Sequence, residues 1–218
     1  PDRPHVLESF QHFAYAIGVP KFEPRWQLPI PKEDYLWIDR KLPKKNPIVV
    51  IAPSASNPER NWLASRYACV ADYVTCSGHL PVLTGSPSDR EVSFAKEISS
   101  LVKTEVVDLS GQTSLKQLLA LISRATLVVA PDSGIVHLAT TQGTPVVGLY
   151  AHSNPNRTGP YLSSSLTVEV YTENLLRLKS LSPESVKWGT RLKGSQLMED
   201  ISLDQVLKKV NLILAEDN

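Results

Sequence analysis

The stretch Leu127-Val128-Val129-Ala130-Pro131-Asp132-Ser133-Gly134-Ile135-Val136-His137-Leu138-Ala139 decides the fold of this 218-residue chain. Its short apolar run reads as a buried strand, which Pro131 ends because proline cannot donate to a sheet ladder. Asp132 or Ser133 can then cap a helix, and Gly134 lets another molecule approach the backbone closely. A second apolar strand follows in Thr144-Pro145-Val146-Val147-Gly148-Leu149-Tyr150. Strand, small polar turn, helix and strand make a βαβ unit, whose turn places unpaired N–H groups at the positive end of a helix. That turn suits an anion, and phosphate is the anion this architecture commonly holds there.

Upstream, strands are expected over residues 48–52, 80–84, 105–109 and 126–130, and helices over residues 62–78, 92–102 and 114–124. Trp62, Tyr67, Val70, Ala71 and Val74 point inward on the first of these helices, and Leu115, Leu118, Leu119 and Ile122 on the last. Downstream, a sixth strand is expected over residues 166–171. A polar tail from Ser182 ends in a helix on Leu203, Val206, Leu207, Val210, Ile213 and Leu214. The alternation predicts an α/β, doubly wound, mainly parallel Rossmann-like sheet with helices on both faces. Right-handed crossovers favour the strand order 3-2-1-4-5-6. In that order strands 1 and 4 are neighbours at the switch point, where the loops leaving them open a crevice. Those loops are Pro53-Ser54-Ala55-Ser56-Asn57-Pro58-Glu59-Arg60-Asn61-Trp62 and Pro131-Asp132-Ser133-Gly134.

The first part of the chain has another texture. Residues 5–18 carry Val6, Leu7, Phe10, Phe13, Ala14 and Ile17 at helical spacing, stopped by Gly18. Six prolines between residues 19 and 47 read as a connector, with a short helix at Lys32–Lys41 and Trp26 and Trp37 as packing anchors. Residues 1–46 are thus expected to be an interdomain connector with a helix, and residues 47–218 a Rossmann-like domain with a C-terminal helix. The opening Pro1-Asp2-Arg3-Pro4-His5 has no initiator methionine, and a preceding domain is expected.

Hydrophobic residues make up 42% and charged residues 21%, ordinary for a globular protein. A formal charge of +1 gives no sign of a nucleic-acid-binding surface, so anion recognition must be local. Cys69 and Cys76 fall seven apart in one helix, with Cα atoms roughly 10 Å apart, too far for a disulfide. They are expected to be reduced thiols in a cytoplasmic protein. No apolar run approaches the ~20 residues of a spanning helix, and no secretory signal opens the chain.

Several residues can carry chemistry, each with an ordinary alternative. Arg60 follows small hydroxyl residues and can grip a diphosphate bidentately, or lie solvated on a loop. Ser54 and Ser56 can donate to phosphate oxygens, or cap and turn. A carboxylate beside a phosphate repels it, so Asp132 suits capping or accepting a sugar hydroxyl. His137 shares a helix face with Ser133 and can reach a phosphate, or be a packed histidine. Asp89, after strand 2, stands where this fold offers an acid to a ribose, or it is a solvated loop carboxylate. The run from His152 to Tyr161 can shape a base or sugar pocket, or be a turn-rich loop. Ser133, His137 and Asp132 are no hydrolase triad, because the Gly-x-Ser-x-Gly flanks are missing and one turn cannot supply the geometry. No Gly-x-Gly-x-x-Gly follows strand 1, and there is no Walker loop, His/Cys metal spacing or Asp-x-Asp pair. No cofactor and no metal are expected.

At these residues the chain resembles the glycosyltransferase family 9 enzymes, the ADP-heptose:lipopolysaccharide heptosyltransferases. The resemblance covers roughly residues 48–161. It rests on the run from Asp132 to Ala139, on Gly143-Thr144-Pro145-Val146-Val147 and on Arg157-Thr158-Gly159-Pro160-Tyr161. Arg60-Asn61-Trp62 is similar to the family's basic-x-Trp element, where lysine is common. Pro53 and Ala151 depart from the pattern, standing where the family often has glycine.

The resemblance implies a two-domain, inverting, metal-independent GT-B-type glycosyltransferase of lipopolysaccharide core biosynthesis. This chain would supply the half that holds ADP-heptose, and the general base would lie in an N-terminal domain with the acceptor. By the same comparison Ser54, Ser56, Arg60, Ser133, Gly134 and His137 line the diphosphate, Asp132 holds the sugar and Asp89 the ribose. A lipopolysaccharide-core or lipid A acceptor implies a cytoplasmic enzyme in peripheral contact with the inner membrane. Two other classes fit the scaffold: a sugar-nucleotide epimerase, which needs no acceptor, and a non-catalytic nucleotide-binding module.

Overall fold

A computed structural model describes residues 3–43 and 46–215. Pro1 and Asp2, at the opening quoted above, lie outside the described residues. In chain order the elements are α1 (Val6–Ala16), α2 (Lys32–Lys41), β1 (Ile48–Ile51), α3 (Ala64–Cys76), β2 (Leu80–Leu83), α4 (Asp89–Leu101), β3 (Val107–Asp108) and α5 (Leu115–Ser123). They continue with β4 (Ala125–Pro131), α6 (Gly134–Gln142), β5 (Val146–Tyr150), a single turn α7 (Pro155–Thr158), β6 (Val168–Glu169), α8 (Tyr171–Lys179) and α9 (Leu203–Leu214).

The six strands form one parallel sheet in the order β3-β2-β1-β4-β5-β6, the expected doubly wound order. Central strands that are apolar throughout need cover on both faces, and they have it. Val49, Ile51, Leu127, Val129, Val147 and Leu149 face one core, beneath α3, α4, α8 and α9. Ile48, Val50, Val128, Ala130 and Val146 face the other, beneath α2, α5 and α6. The alternation along each strand divides the two cores residue by residue.

Several elements differ from expectation. Packing crosses the 46/47 boundary, because Ile38 of α2 and Leu42 after it are buried in the second core with 1% and 7% exposure. Trp37 is only half-buried, so Ile38 is the deeper anchor. Trp62 precedes α3 instead of opening it, and is buried with its Nε1–H donating to the Ile201 carbonyl at 3.0 Å. Residues 166–171 hold only the two-residue β6, and Tyr171 begins α8, which buries Tyr171, Asn174 and Leu175. Leu115 of α5 is 61% exposed and stands outside the core. Helix α1 forms as expected, capped by His5 and Glu8, but Phe10, Phe13 and Ile17 on its apolar side are exposed. Cys69 and Cys76 are free, exposed thiols on α3. Among the described residues no helix is long and apolar enough to cross a membrane.

Candidate functional site

Because every strand is parallel, the loops leaving all their carboxyl ends emerge at one rim, and β1 and β4 are adjacent there. The loop after β1 is folded by its own side chains. Asn61 Oδ1 accepts from the Ala55 N–H at 2.8 Å, and Asn57 caps the 3₁₀ turn Pro58–Arg60. From α4, Arg90 donates to the Ala55 and Ser56 carbonyls at 3.0 and 3.3 Å. Trp62, buried at the loop's end, fastens it to the C-terminal segment.

A cleft of about 390 Å³ opens at this rim. Ser54 and Ser56 line it from β1, Thr84 and Glu91 from the β2 side, Leu115 and Leu118 from α5, and Ser133, Gly134 and Ile135 from β4 and α6. One wall is therefore small and polar, and the other apolar. Among the described residues, the hydroxyls of Ser54, Thr84 and Ser133 are enclosed and have no hydrogen-bond partner. Unpaired enclosed hydroxyls carry a desolvation cost. Ser133 is the N-cap of α6 but makes no capping bond, whereas Ser88, Ser114 and Ser202 cap α4, α5 and α9 through their side chains. The positive end of α6 is thus left open to the cleft. A Cβ added at Gly134 would meet nothing within 4 Å, so there is room above the helix end.

Arg60 and Asp132 stand beside this end. Arg60 Nη1 donates to the Asp132 carbonyl at 2.9 Å and to its Oδ2 at 3.2 Å, while Nη2 lies 3.4 Å from Ser56 Oγ. Their side chains are 15% and 10% exposed, so the ion pair is largely withdrawn from water. Asp132 also accepts from Ser153 Oγ at 2.7 Å. Its carboxylate engages an arginine and a serine, and it does not cap α6.

The structure brings Ser54, Ser56, Ser133 and Gly134 together around one cleft, with Arg60 and Asp132 at its side. Asp89 is exposed in the first turn of α4 and does not line the cleft. Glu91 does, accepting from the Ser86 N–H at 2.8 Å. The Ser88-x-x-Glu91 spacing is the signal that could have found it, since it turns an N3 glutamate back toward the preceding loop. Thr84 carries no such signal, because a strand-end threonine looks like any other.

His137 lines a different, largely apolar cavity of about 250 Å³ with His5, Trp26, Thr140 and Tyr161. Partial desolvation lowers its pKa below 6.5, the Asp132 charge opposes that shift, and His5 adds to it. His137 is therefore a neutral imidazole near pH 7. His152, in the turn-rich run, is buried against the Gly194 carbonyl at 2.9 Å and holds the tail in place. Burial and then the Asp132 charge push the Tyr150 hydroxyl well above its ordinary pKa, so it stays protonated. Among the described residues no group of three or more His, Cys, Asp or Glu side chains could hold a metal ion.

The family model described as glycosyltransferase family 9 (heptosyltransferase) matches residues 1–186. The chain is 41% identical over 215 residues to the lipopolysaccharide core heptosyltransferase OpsX of Haemophilus influenzae. That match takes in 97% of this chain and 62% of the relative. Among solved structures, a glycosyl transferase family 9 protein of Veillonella parvula superposes with a TM-score of 0.77 at 23% identity, over 99% of this chain and 61% of that one. The E. coli ADP-heptose lps heptosyltransferase II superposes with a TM-score of 0.71 at 24% identity, over 98% of this chain and 63% of that one. This chain thus spans less than two thirds of each.

Proposed function

Because the chain belongs to glycosyltransferase family 9, the heptosyltransferases, we propose that it is the donor-binding part of an enzyme that transfers heptose from ADP-heptose to a lipopolysaccharide core or lipid A acceptor. Transfer proceeds with inversion and without a metal, in the cytoplasm and in peripheral contact with the inner membrane. One observation carries the reading: a cleft lined by Ser54, Ser56, Thr84 and Ser133 ends on the uncapped helix terminus beside Arg60.

An ADP unit suits the division of this cleft. The base lies against Leu115, Leu118 and Ile135, and the diphosphate against Ser54, Ser56, Ser133 and the Gly134 backbone. The ribose meets the acid of the β2 loop, for which Glu91 is better placed than Asp89. Asp132 receives a heptose hydroxyl, while His137, lining the separate cavity, stays a neutral imidazole rather than a cation. As the sugar leaves, negative charge builds on the diphosphate, and Arg60 and the α6 terminus stabilise it. The acceptor hydroxyl still needs a base on the opposite side of the sugar. That base belongs to the remaining part of the enzyme, with residues 1–46 as the connector to it. The exposed Phe10 and Phe13 of α1, and Ile17 just after it, support that reading.

The test uses the full-length protein with ADP-heptose and a lipopolysaccharide-core acceptor in EDTA. Inverting transfer should persist in the chelator, whereas this 218-residue chain alone should bind ADP and transfer nothing. Activity lost in EDTA and restored by magnesium or manganese would refute the metal-free mechanism. Conversion of the nucleotide sugar without acceptor would favour an epimerase, and binding without any turnover a non-catalytic module.

A further inference from the structure

Asp132 is held on one oxygen only. Ser153 Oγ donates to Oδ2 at 2.7 Å, and Arg60 Nη1 donates to the same Oδ2 at 3.2 Å. Oδ1 accepts no hydrogen bond from the described residues, yet it is not among the fully enclosed unpartnered atoms, so it keeps contact with solvent. The neighbouring strands explain the meeting. The Asp132 N–H donates to the Leu149 carbonyl at 3.2 Å, which sets the end of β4 against β5 and brings Ser153, just past β5, over the carboxylate. Ser153 is buried at 5% exposure, and a hydroxyl enclosed there gains nothing by turning from a carboxylate to water it cannot reach.

We propose that Ser153 is a positioning residue of the donor site: by fixing Asp132 Oδ2 it turns Oδ1 toward the ligand as a single, aimed acceptor for a sugar hydroxyl. This rests on the donor-site reading above. A carboxylate tied to Arg60 alone could rotate and offer either oxygen, which would spread the acceptor over two positions. The charged hydrogen bond at 2.7 Å removes that freedom before the ligand arrives, so ordering it costs no binding energy.

Calorimetry with ADP and with ADP-heptose, on wild-type protein, Ser153→Ala, Asp132→Ala and the double variant, tests it. Ser153→Ala should weaken ADP-heptose by roughly tenfold and ADP by less than about twofold, since ADP lacks the sugar. In the Asp132→Ala background, adding Ser153→Ala should change neither affinity, because Ser153 acts only through that carboxylate. Should the alanine variant fail to fold, Ser153→Cys, which fills the space with a weaker donor, carries the same comparison. Equal weakening of both ligands, no weakening of ADP-heptose, or a loss that persists without Asp132 would each overturn the proposal. Wild-type protein that binds neither ligand would overturn the donor-site reading itself, and this inference with it.

Discussion

Arg60→Ala separates a ligand-gripping arginine from a merely structural one. The guanidinium is not free: Nη1 is committed to the Asp132 carbonyl and Oδ2, and only Nη2, near Ser56 Oγ at 3.4 Å, faces the cleft lining. A hydrogen bond to a charged group contributes about 1.5–3 kcal/mol. With half the fork occupied and its charge partly balanced by Asp132, the lower end applies, about 1.5 kcal/mol, or roughly a tenfold loss of ADP affinity. Adenosine carries no phosphate, so its affinity should change by less than about twofold. Raising the salt should shrink the difference between the proteins, because the lost contact is electrostatic. Stability should also fall. The pair lies between a surface ion pair, at about 0–1 kcal/mol, and a buried one whose breakage costs about 3–5 kcal/mol. A loss of about 2 kcal/mol corresponds to roughly 4–8 °C in Tm for a domain of this size. Calorimetry with both nucleotides, run well below the variant's Tm, reads the two effects apart. Equal ADP affinity of the two proteins would refute the phosphate contact, whatever happens to Tm.

Gly134→Leu should fill the open space above the α6 terminus, cutting ADP affinity roughly tenfold or more while moving stability by no more than about 1 kcal/mol; titration and thermal melts check both. His137 titrates lower in the folded chain than its ordinary value of 6.5, so the unfolded chain takes up the proton first. Its contribution is present above pH 6.5 and is lost as pH falls through that value toward the folded pKa. Denaturant titrations from pH 7.5 to 5.5 should therefore show a shallower acid-side loss in His137→Gln than in the wild type, and identical slopes would refute it. Ile38→Ala should cost about 2–5 kcal/mol of unfolding free energy if α2 belongs to the sheet's core, and under about 0.5 kcal/mol if α2 is only a tether.

Strand order was legible because uninterrupted apolar runs such as Leu127-Val128-Val129-Ala130 occur only where both sheet faces are covered, and chirality then leaves few topologies. The cleft followed from that order, which is why Ser54, Ser56, Ser133 and Gly134 meet around it. What stayed hidden depends on distant partners. Leu115 has core periodicity, yet it stands at the cleft mouth, because period alone cannot tell a core from a ligand-facing wall. Asp89 and Glu91 are both acids of the first turn of α4, and the cap at Ser88 decides which turns back toward the preceding loop. Tyr171 is a good strand residue by propensity, and tertiary packing makes it the first residue of α8. The bond from Ser153 to Asp132 joins the ends of two neighbouring strands, and no local pattern foreshadows it.

The tether between Trp62 and the Ile201 carbonyl reaches across 139 residues of sequence. During synthesis, at about 5–20 residues per second, roughly 7–28 s separate the emergence of the two ends. All six strands have been made before Ile201 appears, since the last of them closes at Glu169. The sheet can therefore assemble while the loop bearing Ser54, Ser56 and Arg60 still waits for its fastening. A nascent chain stalled short of Ile201 would lack both this fastening of the ligand-facing loop and helix α9, which covers the first core.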